Sequence, residues 1–135
     1  MILEFQMEIT IKLVIAVLLG ALIGWEREKM HRPAGLRTHM LVSLGSALFT
    51  ILSLSAFPGS DPSRIAANII VGIGFIGAGT VLQMKERVIG LTTAASLWTT
   101  SAIGMATGAG FYIPAIVTTL VAFVILWLRE IKRRR

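Results

Sequence analysis

Residues Asp61–Trp98, DPSRIAANIIVGIGFIGAGTVLQMKERVIGLTTAASLW, decide the fold of this chain. Glycines and small polar residues are embedded there in sequence that is apolar enough to lie in lipid. The run GIGFIG, Gly72–Gly77, matches the pattern G-x-G-x-x-G of dinucleotide-binding sites. Such a site needs a preceding strand and an acidic residue about 20 residues later, whereas apolar helical sequence flanks this run and positions 96–99 read Ser-Leu-Trp-Thr. The glycines therefore indicate packed membrane helices rather than a nucleotide site.

The composition indicates an integral membrane protein. Of the 135 residues, 55% are hydrophobic and only 15% are charged, and the mean hydropathy is +0.79. A soluble domain carries roughly a quarter of charged residues spread over its surface. The lack of cysteine excludes disulfides, thiol catalysis and Cys-based metal sites. Glu4 and Glu8 precede the first apolar run, where a secretory signal has basic residues, so this run is expected to be retained as a membrane span.

The hydropathy pattern predicts an all-α fold, a bundle of five transmembrane helices that forms a single domain over residues 1–135. A helix needs roughly 17 to 25 apolar residues to cross a bilayer. The fourth span is the least apolar because it contains seven serines and threonines. The predicted spans are residues 7–25, 38–57, 65–83, 91–108 and 111–128.

The distribution of Lys and Arg predicts the orientation, because cytoplasmic loops carry the positive excess. Only Lys12 and Arg64 fall on the other side, so we expect the N-terminus outside and the C-terminus in the cytoplasm. The net charge of +6 is thereby explained by topology and by anionic lipid, without nucleic acid. Three segments on one side contain eleven of the 13 basic residues: Arg27, Lys29, Arg32 and Arg37; Lys85 and Arg87; and Arg129 and residues 132–135.

Small residues predict where the helices pack, because helices in lipid associate through close backbone contact. Three pairs have the spacing small-x-x-x-small: Gly20 and Gly24, Gly74 and Ala78, and Gly104 and Gly108. The third helix has such residues on two sides, one stripe with Asn68, Gly72, Phe75, Gly79 and Gln83 and another with Ala67, Gly74 and Ala78. It is therefore expected in the centre of the bundle or in the interface of a homo-oligomer, a dimer above all. The predicted packing residues are Gly72, Gly74, Gly77, Gly79, Gly104, Gly108 and Trp98.

Hydroxyl side chains cluster on one face of the fourth helix. Trp98, Met105, Ala94 and Ala102 lie opposite, so the hydroxyl face should point inward. One interpretation is that each hydroxyl bonds the carbonyl four residues earlier. The other is a polar lining for a solute path, or a groove for a partner helix. The hydroxyl face comprises Thr92, Thr93, Ser96, Thr99, Thr100 and Thr107.

The loop before the third helix predicts a polar line that enters the membrane. Asp61 and Pro62 fit the N-cap and first position of that helix. Arg64 lies one turn on and Asn68 another turn beyond. Because an Arg deep in a span costs about 3 kcal/mol, Arg64 is expected to reach outward or to pair with Asp61.

The loop between the first two spans is the second charged cluster. Glu26 and Arg27 follow Trp25, and Arg32 precedes a Pro-Ala-Gly turn. Arg37 opens the second helix, where the helix dipole disfavours a cation, so an acid from Glu26, Glu28 or Glu86 is expected beside it. His31 and His39 do not have the spacing of a zinc motif, and no metal site or cofactor is predicted.

Five segments resemble the MgtC/SapB family of bacterial inner-membrane proteins. The resemblance implies a multi-pass plasma-membrane protein linked to growth under magnesium limitation and, in pathogens, to virulence through survival in macrophages. It also implies a regulatory role, including restraint of the F-type ATP synthase through contacts in the membrane. The segments are Glu26-Arg27, Arg32 with residues 34–38 (AGLRT), Asp61 with residues 63–67 (SRIAA), residues 72–79 (GIGFIGAG) and residues 90–98 (GLTTAASLW).

Two features depart from that family. Larger members continue into a cytoplasmic domain resembling ACT folds, whereas no such soluble domain is expected here. Members tied to virulence show Asn where this chain has Thr92 and Cys where it has Thr99.

Two classes of function remain open on the sequence. The first is a regulator that docks against another membrane complex. The second is a small oligomeric transporter or channel, for magnesium or another solute, around the hydroxyl face. Mg²⁺ prefers carboxylate or ordered water ligands, and no carboxylate is expected near the middle of the membrane, with only Asp61 near an edge. No enzyme is expected, because no nucleophile, base and orienting group occur together in the spans.

Overall fold

Five α-helices and one β-hairpin are found in the part of the chain that the structure, a computed structural model, describes, namely residues 1–84 and 86–133. Lys85, Arg134 and Arg135, which were used to predict the orientation, lie outside the described residues. The helical class is confirmed. In chain order the elements are α1 (Ile2–Lys29), α2 (Leu36–Ser55), α3 (Ser63–Ala78), β1 (Leu82–Met84), β2 (Arg87–Ile89), α4 (Leu91–Gly108) and α5 (Tyr112–Arg133).

The first two helices are long and apolar enough to cross a membrane, and α3 and residues 112–128 of α5 are shorter apolar helices. Helix α1 begins at Ile2 rather than near position 7. Glu8 and Lys12, one turn apart, form an ion pair of 2.7 Å, and Glu4 in the first turn suits the positive end of the helix dipole. The bounds of α4 agree with the predicted span.

Helix α3 is shorter than predicted, because the chain turns at Gly79 and Thr80. The Thr80 hydroxyl donates to the carbonyl of Gly77 at 2.7 Å, and the amide of Val81 donates to the carbonyl of Ala78 at 3.1 Å. Residues 82–84 then pair as an antiparallel strand with residues 87–89. The prediction that helix 3 extends to Gln83 is therefore wrong, and Gln83 lies in β1.

Helices α1 and α4 both pack closely on α2, and α4 also contacts α3 and α5. A Cβ added to Gly20 of α1 would lie 2.7 Å from the carbonyl oxygen of His39. A Cβ on Gly108 of α4 would lie 2.5 Å from that of Ala47, and one on Gly104 would meet the carbonyl of Ser43. The glycine pairs of α1 and α4 thus let these two helices approach the backbone of α2 closely.

Helix α3 is peripheral in the chain, contrary to the expected central position. Its buried residues are Ile73 and Gly77, and Gly77 packs on Ala94 of α4. Nothing lies within 4 Å of a Cβ built on Gly72 or Gly74. The spacing of these glycines therefore marks a surface that is open in the single chain. Whether a second copy covers it stays a prediction.

Candidate functional site

The hydroxyl face of α4 points into the bundle. Thr93, Ser96, Thr100 and Thr107 are buried, and Thr92 and Thr99 are half-buried. Trp98 on the opposite side is 57% exposed, so it packs outside the bundle rather than within it.

Most of these hydroxyls bond a carbonyl of their own helix, three of them four residues back. Thr99, Thr100 and Thr107 donate to the carbonyls four residues earlier at 3.0, 2.7 and 2.8 Å. This is the local back-bonding that lets Thr lie in apolar surroundings. For these three residues, bonding to the carbonyl four residues earlier is sufficient to explain the hydroxyl.

Ser96 and Ser101 instead connect α4 to α2. Ser96 Oγ lies 2.9 Å from Nε2 of His39 and 2.8 Å from the carbonyl oxygen of Thr93, so its one hydroxyl hydrogen is shared between these two acceptors. The other ring nitrogen, Nδ1, lies 2.9 Å from the carbonyl oxygen of Gly35 and therefore carries the hydrogen of that bond. Ser101 Oγ and Ser46 Oγ share a bond of 2.9 Å one helical layer further along.

The polar stripe of α2 was missed by the sequence reasoning, which considered His39 only as a metal ligand. The stripe consists of His39, Ser43, Ser46, Thr50 and Ser53, all buried. Their spacing of three or four residues places them on one helix face, which is the signal that could have found them. Ser43 Oγ donates to the carbonyl of Ala16 at 2.6 Å, so the stripe bonds α1 as well as α4.

A cavity of about 200 Å³ lies beside the hydroxyl face, between α4 and α5. Thr92, Ser96 and Thr99 line it together with Thr118 of α5, and the other lining residues are apolar. Three residues of the hydroxyl face are thus gathered at one cavity, which has room for a few water molecules or a small neutral solute.

The start of α3 is capped by Asp61. Its Oδ1 accepts from the backbone N–H of Ser63 at 2.9 Å and from the Ser63 hydroxyl at 2.7 Å. The Ser63 hydroxyl, and then its amide, hold the pKa of the exposed Asp61 carboxyl below its ordinary value. Helix α3 begins at Ser63, so Pro62 and not Asp61 is at the N-cap, and Asp61 bonds the first helical N–H from one residue further out.

The predicted polar line is only partly assembled. Within the described residues no ion pair joins Arg64 to Asp61, and the Arg64 side chain is exposed. Asn68 Nδ2 donates to the backbone carbonyl of Arg64 at 2.9 Å. Asp61, Arg64 and Asn68 are therefore neighbours on one end of α3, with the two charges available to an outside group.

The charged cluster after α1 is buried at its centre and exposed at its edge. Glu26 and Arg27 are only 2% and 3% exposed, and their carboxylate and guanidinium atoms lie 3.7 Å apart. Arg32 is half-buried, and Arg37 is exposed. The acid expected beside Arg37 is not found: no ion pair involves it in the part of the chain that the structure describes.

No group of three or more His, Asp or Glu side chains that could hold a metal ion occurs among residues 1–84 and 86–133. Glu26 and Glu28 lie in the last turn of α1, and Asp61 lies just before α3.

Comparison with known proteins places the chain among bacterial membrane proteins. The sequence profile of the MgtC family matches residues 13–134. The protein named "Putative magnesium transporter YhiD" of Escherichia coli is 44% identical over 127 residues, covering 88% of this chain and 59% of YhiD. Protein MgtC of Brucella abortus is 49% identical over 105 residues, covering 78% of this chain and 44% of that protein. Protein SapB of Bacillus subtilis is 45% identical over 122 residues, covering 84% of this chain and 53% of SapB.

The chain thus spans about half the length of these relatives. No solved structure matches it significantly.

Proposed function

The chain belongs to the MgtC family, and from that premise we propose that it is a multi-pass protein of the bacterial inner membrane that serves adaptation to magnesium limitation. It acts as a regulator through contacts with other membrane proteins, without catalysing a reaction. The name of its relative YhiD supports the link to magnesium. The arrangement proposed is five spans, with the N-terminus outside and the C-terminus in the cytoplasm.

The surface of the helices supports this placement in lipid. Large apolar side chains of α1 and α5 face outward, among them Val14, Leu18, Val117 and Ile125, each more than half exposed. Such side chains over the length of two helices suit hydrocarbon and not water.

The outer face of α3 is the observation that carries the regulatory proposal. We call it the docking face and define it as Ala67, Val71, Gly74 and Ala78, which lie on one side of the helix, with Phe75 at the edge of this face. Val71 is 72% exposed and Phe75 is 84% exposed. A Cβ on Gly74 meets nothing within 4 Å. Small residues of this spacing permit close approach of another helix in lipid, so the face suits a helix from outside the chain.

The partner proposed is the F-type ATP synthase, as the family resemblance implies. The alternative occupant of this face is a second copy of the chain, which would form a homodimer. The test compares Gly74→Leu with Gly72→Leu, since nothing lies within 4 Å of a Cβ built on either glycine and only Gly74 lies on the docking face. The measurement is ATP-driven proton pumping in inverted membrane vesicles that contain the chain or lack it.

We expect the wild-type chain and Gly72→Leu to lower pumping, and Gly74→Leu to restore it. Equal pumping with and without the chain would overturn the proposal for the ATP synthase. A disulfide crosslink between two copies with a cysteine in place of Val71, lost in Gly74→Leu, would assign the face to a homodimer instead.

Transport of magnesium or another small solute is the second candidate, and the cavity lined by Thr92, Ser96 and Thr99 favours it. The test is magnesium flux into liposomes that contain the purified chain. Saturable flux that is lost in Asp61→Ala and in Thr99→Val would support transport and contradict the regulatory proposal. Thr118→Val makes the same substitution on the α5 side of the cavity and is the control for Thr99→Val.

A further inference from the structure

A second and larger cavity, of about 510 Å³, runs between α2 and α3 and opens to the outside of the bundle. We call it the α2–α3 groove. It follows α3 from Ile65 to Ile76, which is about 16 Å of helix and about half of the hydrocarbon thickness of a bilayer. Gly45 and Gly72 line it, and nothing lies within 4 Å of a Cβ built on either glycine. The groove exists because these two positions have no side chain.

The walls of the groove suit hydrocarbon. The polar side chains that line it are Ser46, Ser101 and Asn68. The two serine hydroxyls bond each other at 2.9 Å, and the Asn68 amide donates to the carbonyl of Arg64 at 2.9 Å. Because these groups are engaged within the chain, an apolar occupant leaves none of these bonds unmade.

One end of the groove meets a pair of opposite charges. Arg64 directly precedes the lining residue Ile65, and Asp61 lies one turn before it in the capping position. Both side chains are exposed, and among the residues described they form no ion pair with each other. Ser53 Oγ at the end of α2 donates to the carbonyl of Pro62 at 2.6 Å, which holds the start of α3 against α2. The charges and the groove are therefore fixed relative to each other.

We propose that the α2–α3 groove binds one acyl chain of a phospholipid with an ethanolamine headgroup, whose phosphate contacts Arg64 and whose ammonium contacts Asp61. This proposal rests on the membrane placement proposed above. A headgroup that carries a phosphate and an ammonium complements an exposed cation and carboxylate together, whereas a purely anionic headgroup leaves Asp61 facing a like charge. A primary ammonium also donates hydrogen bonds to a carboxylate, which the quaternary nitrogen of choline lacks the hydrogens to do.

The volume of the groove favours a lipid chain over a protein helix. A helix has a diameter of at least about 10 Å, so a segment 16 Å long occupies roughly 1,300 Å³. The groove therefore holds only part of a helix, whereas a single acyl chain is much narrower than a helix and can lie along the groove. The docking face, on the other side of α3, is separate from this site.

The test is native mass spectrometry of the purified chain from nanodiscs that contain equal amounts of phosphatidylethanolamine, phosphatidylglycerol and phosphatidylcholine. We expect one phosphatidylethanolamine to stay bound to the wild-type chain. In Arg64→Gln and in Asp61→Asn its retention should fall by about tenfold, which corresponds to loss of one charge-assisted hydrogen bond. Gly72→Leu should abolish it by filling the groove, and Gly74→Leu, two residues away on the docking face, should retain it.

Equal retention by wild type and Gly72→Leu would overturn the groove as the site. Preference for phosphatidylglycerol, or loss in Arg64→Gln without loss in Asp61→Asn, would overturn the headgroup assignment. A second copy or another protein retained in place of lipid would overturn the proposal as a whole. Because the assay uses the purified chain and no ATP synthase, its result is independent of the regulatory proposal, which Gly74→Leu tests separately.

Discussion

His39 on α2 and Ser96 on α4 share a hydrogen bond of 2.9 Å between Nε2 and Oγ, although they are 57 positions apart in the chain. Both side chains are buried, and the second ring nitrogen of His39 bonds the carbonyl of Gly35 where α2 begins. One imidazole thus joins the start of α2 to the hydroxyl face of α4. The contact lies beside the cavity lined by Thr92, Ser96 and Thr99, so it fixes one wall of that cavity.

Removing this bond should destabilise the bundle. We expect Ser96→Ala to lower the free energy of unfolding by about 1 kcal/mol, since hydrogen bonds between membrane helices contribute roughly 0.6 to 2 kcal/mol. His39→Ala should cost more, because it also leaves the Gly35 carbonyl without this donor and leaves a cavity. Reversible unfolding in detergent micelles measures both, and the double variant should lose less than the sum of the two. Thr99→Val, which removes only a bond within α4, is the control with little change. Full additivity of the two variants would contradict a direct His39–Ser96 bond.

The glycines divide into two classes that a substitution series should separate. Gly20→Ala and Gly104→Ala place a Cβ against the backbone of α2, so we expect losses of roughly 1 to 3 kcal/mol from overpacking. Gly74→Ala meets open space and replaces a poor helix former, so it should be neutral or stabilising by up to about 1 kcal/mol. The same unfolding assay compares them. Equal destabilisation by Gly104→Ala and Gly74→Ala would contradict the close packing of α4 on the α2 backbone.

The spacing of residues in the sequence located the small-residue faces of α1 and α4 and the inward hydroxyl face of α4, because these faces depend only on the helical period. It did not identify α2 as their common partner, since spacing on one helix says nothing about which helix lies opposite. The same limit explains α3, whose glycines predicted packing on two sides although the chain covers neither Gly72 nor Gly74. The end of α3 was missed because the apolar run continues past Gly79, and only the pairing of residues 82–84 with 87–89 distinguishes strand from helix there.

Gly90, which precedes α4, is required by two independent constraints. Its φ is +94°, and a Cβ there would collide with the carbonyl oxygen of Thr80. Gly90→Ala should therefore cost more than the roughly 1 to 2 kcal/mol of a left-handed residue, and should loosen the hairpin against α4. Gly59→Ala is a matched control, because its φ is +79° but its surroundings are open. Limited proteolysis after β2 should increase in Gly90→Ala alone. Equal cleavage of both variants would contradict the contact with Thr80.

The cap of α3 should persist in mild acid. Because the pKa of Asp61 is lowered in the folded chain, the stabilisation by its carboxylate is fully present above the ordinary Asp pKa and is lost only as the pH falls through the lowered value. Titration of the ¹³C-labelled Asp61 carboxyl by NMR should give a midpoint below that of an unstructured Asp. Ser63→Ala removes the hydroxyl donor and should move the midpoint upward. An unchanged midpoint in this variant would contradict the assignment of Ser63 as the main cause.

The proposed topology requires α3 to carry the chain across the membrane, although its 16 residues span only about 24 Å against a hydrocarbon core of about 30 Å. Because the chain has no cysteine, single cysteines report the two ends of α3 without background. Ser60→Cys, in the loop before α3, should react with a membrane-impermeant maleimide in spheroplasts, which have an intact inner membrane but no outer envelope. Glu86→Cys, in the hairpin turn after α3, should react only once the membrane is opened. Both positions are exposed in the structure, so a failure to react reflects the membrane and not burial. Labelling of both sites from outside would mean that α3 enters and leaves on the same side, and would exclude the five-span arrangement.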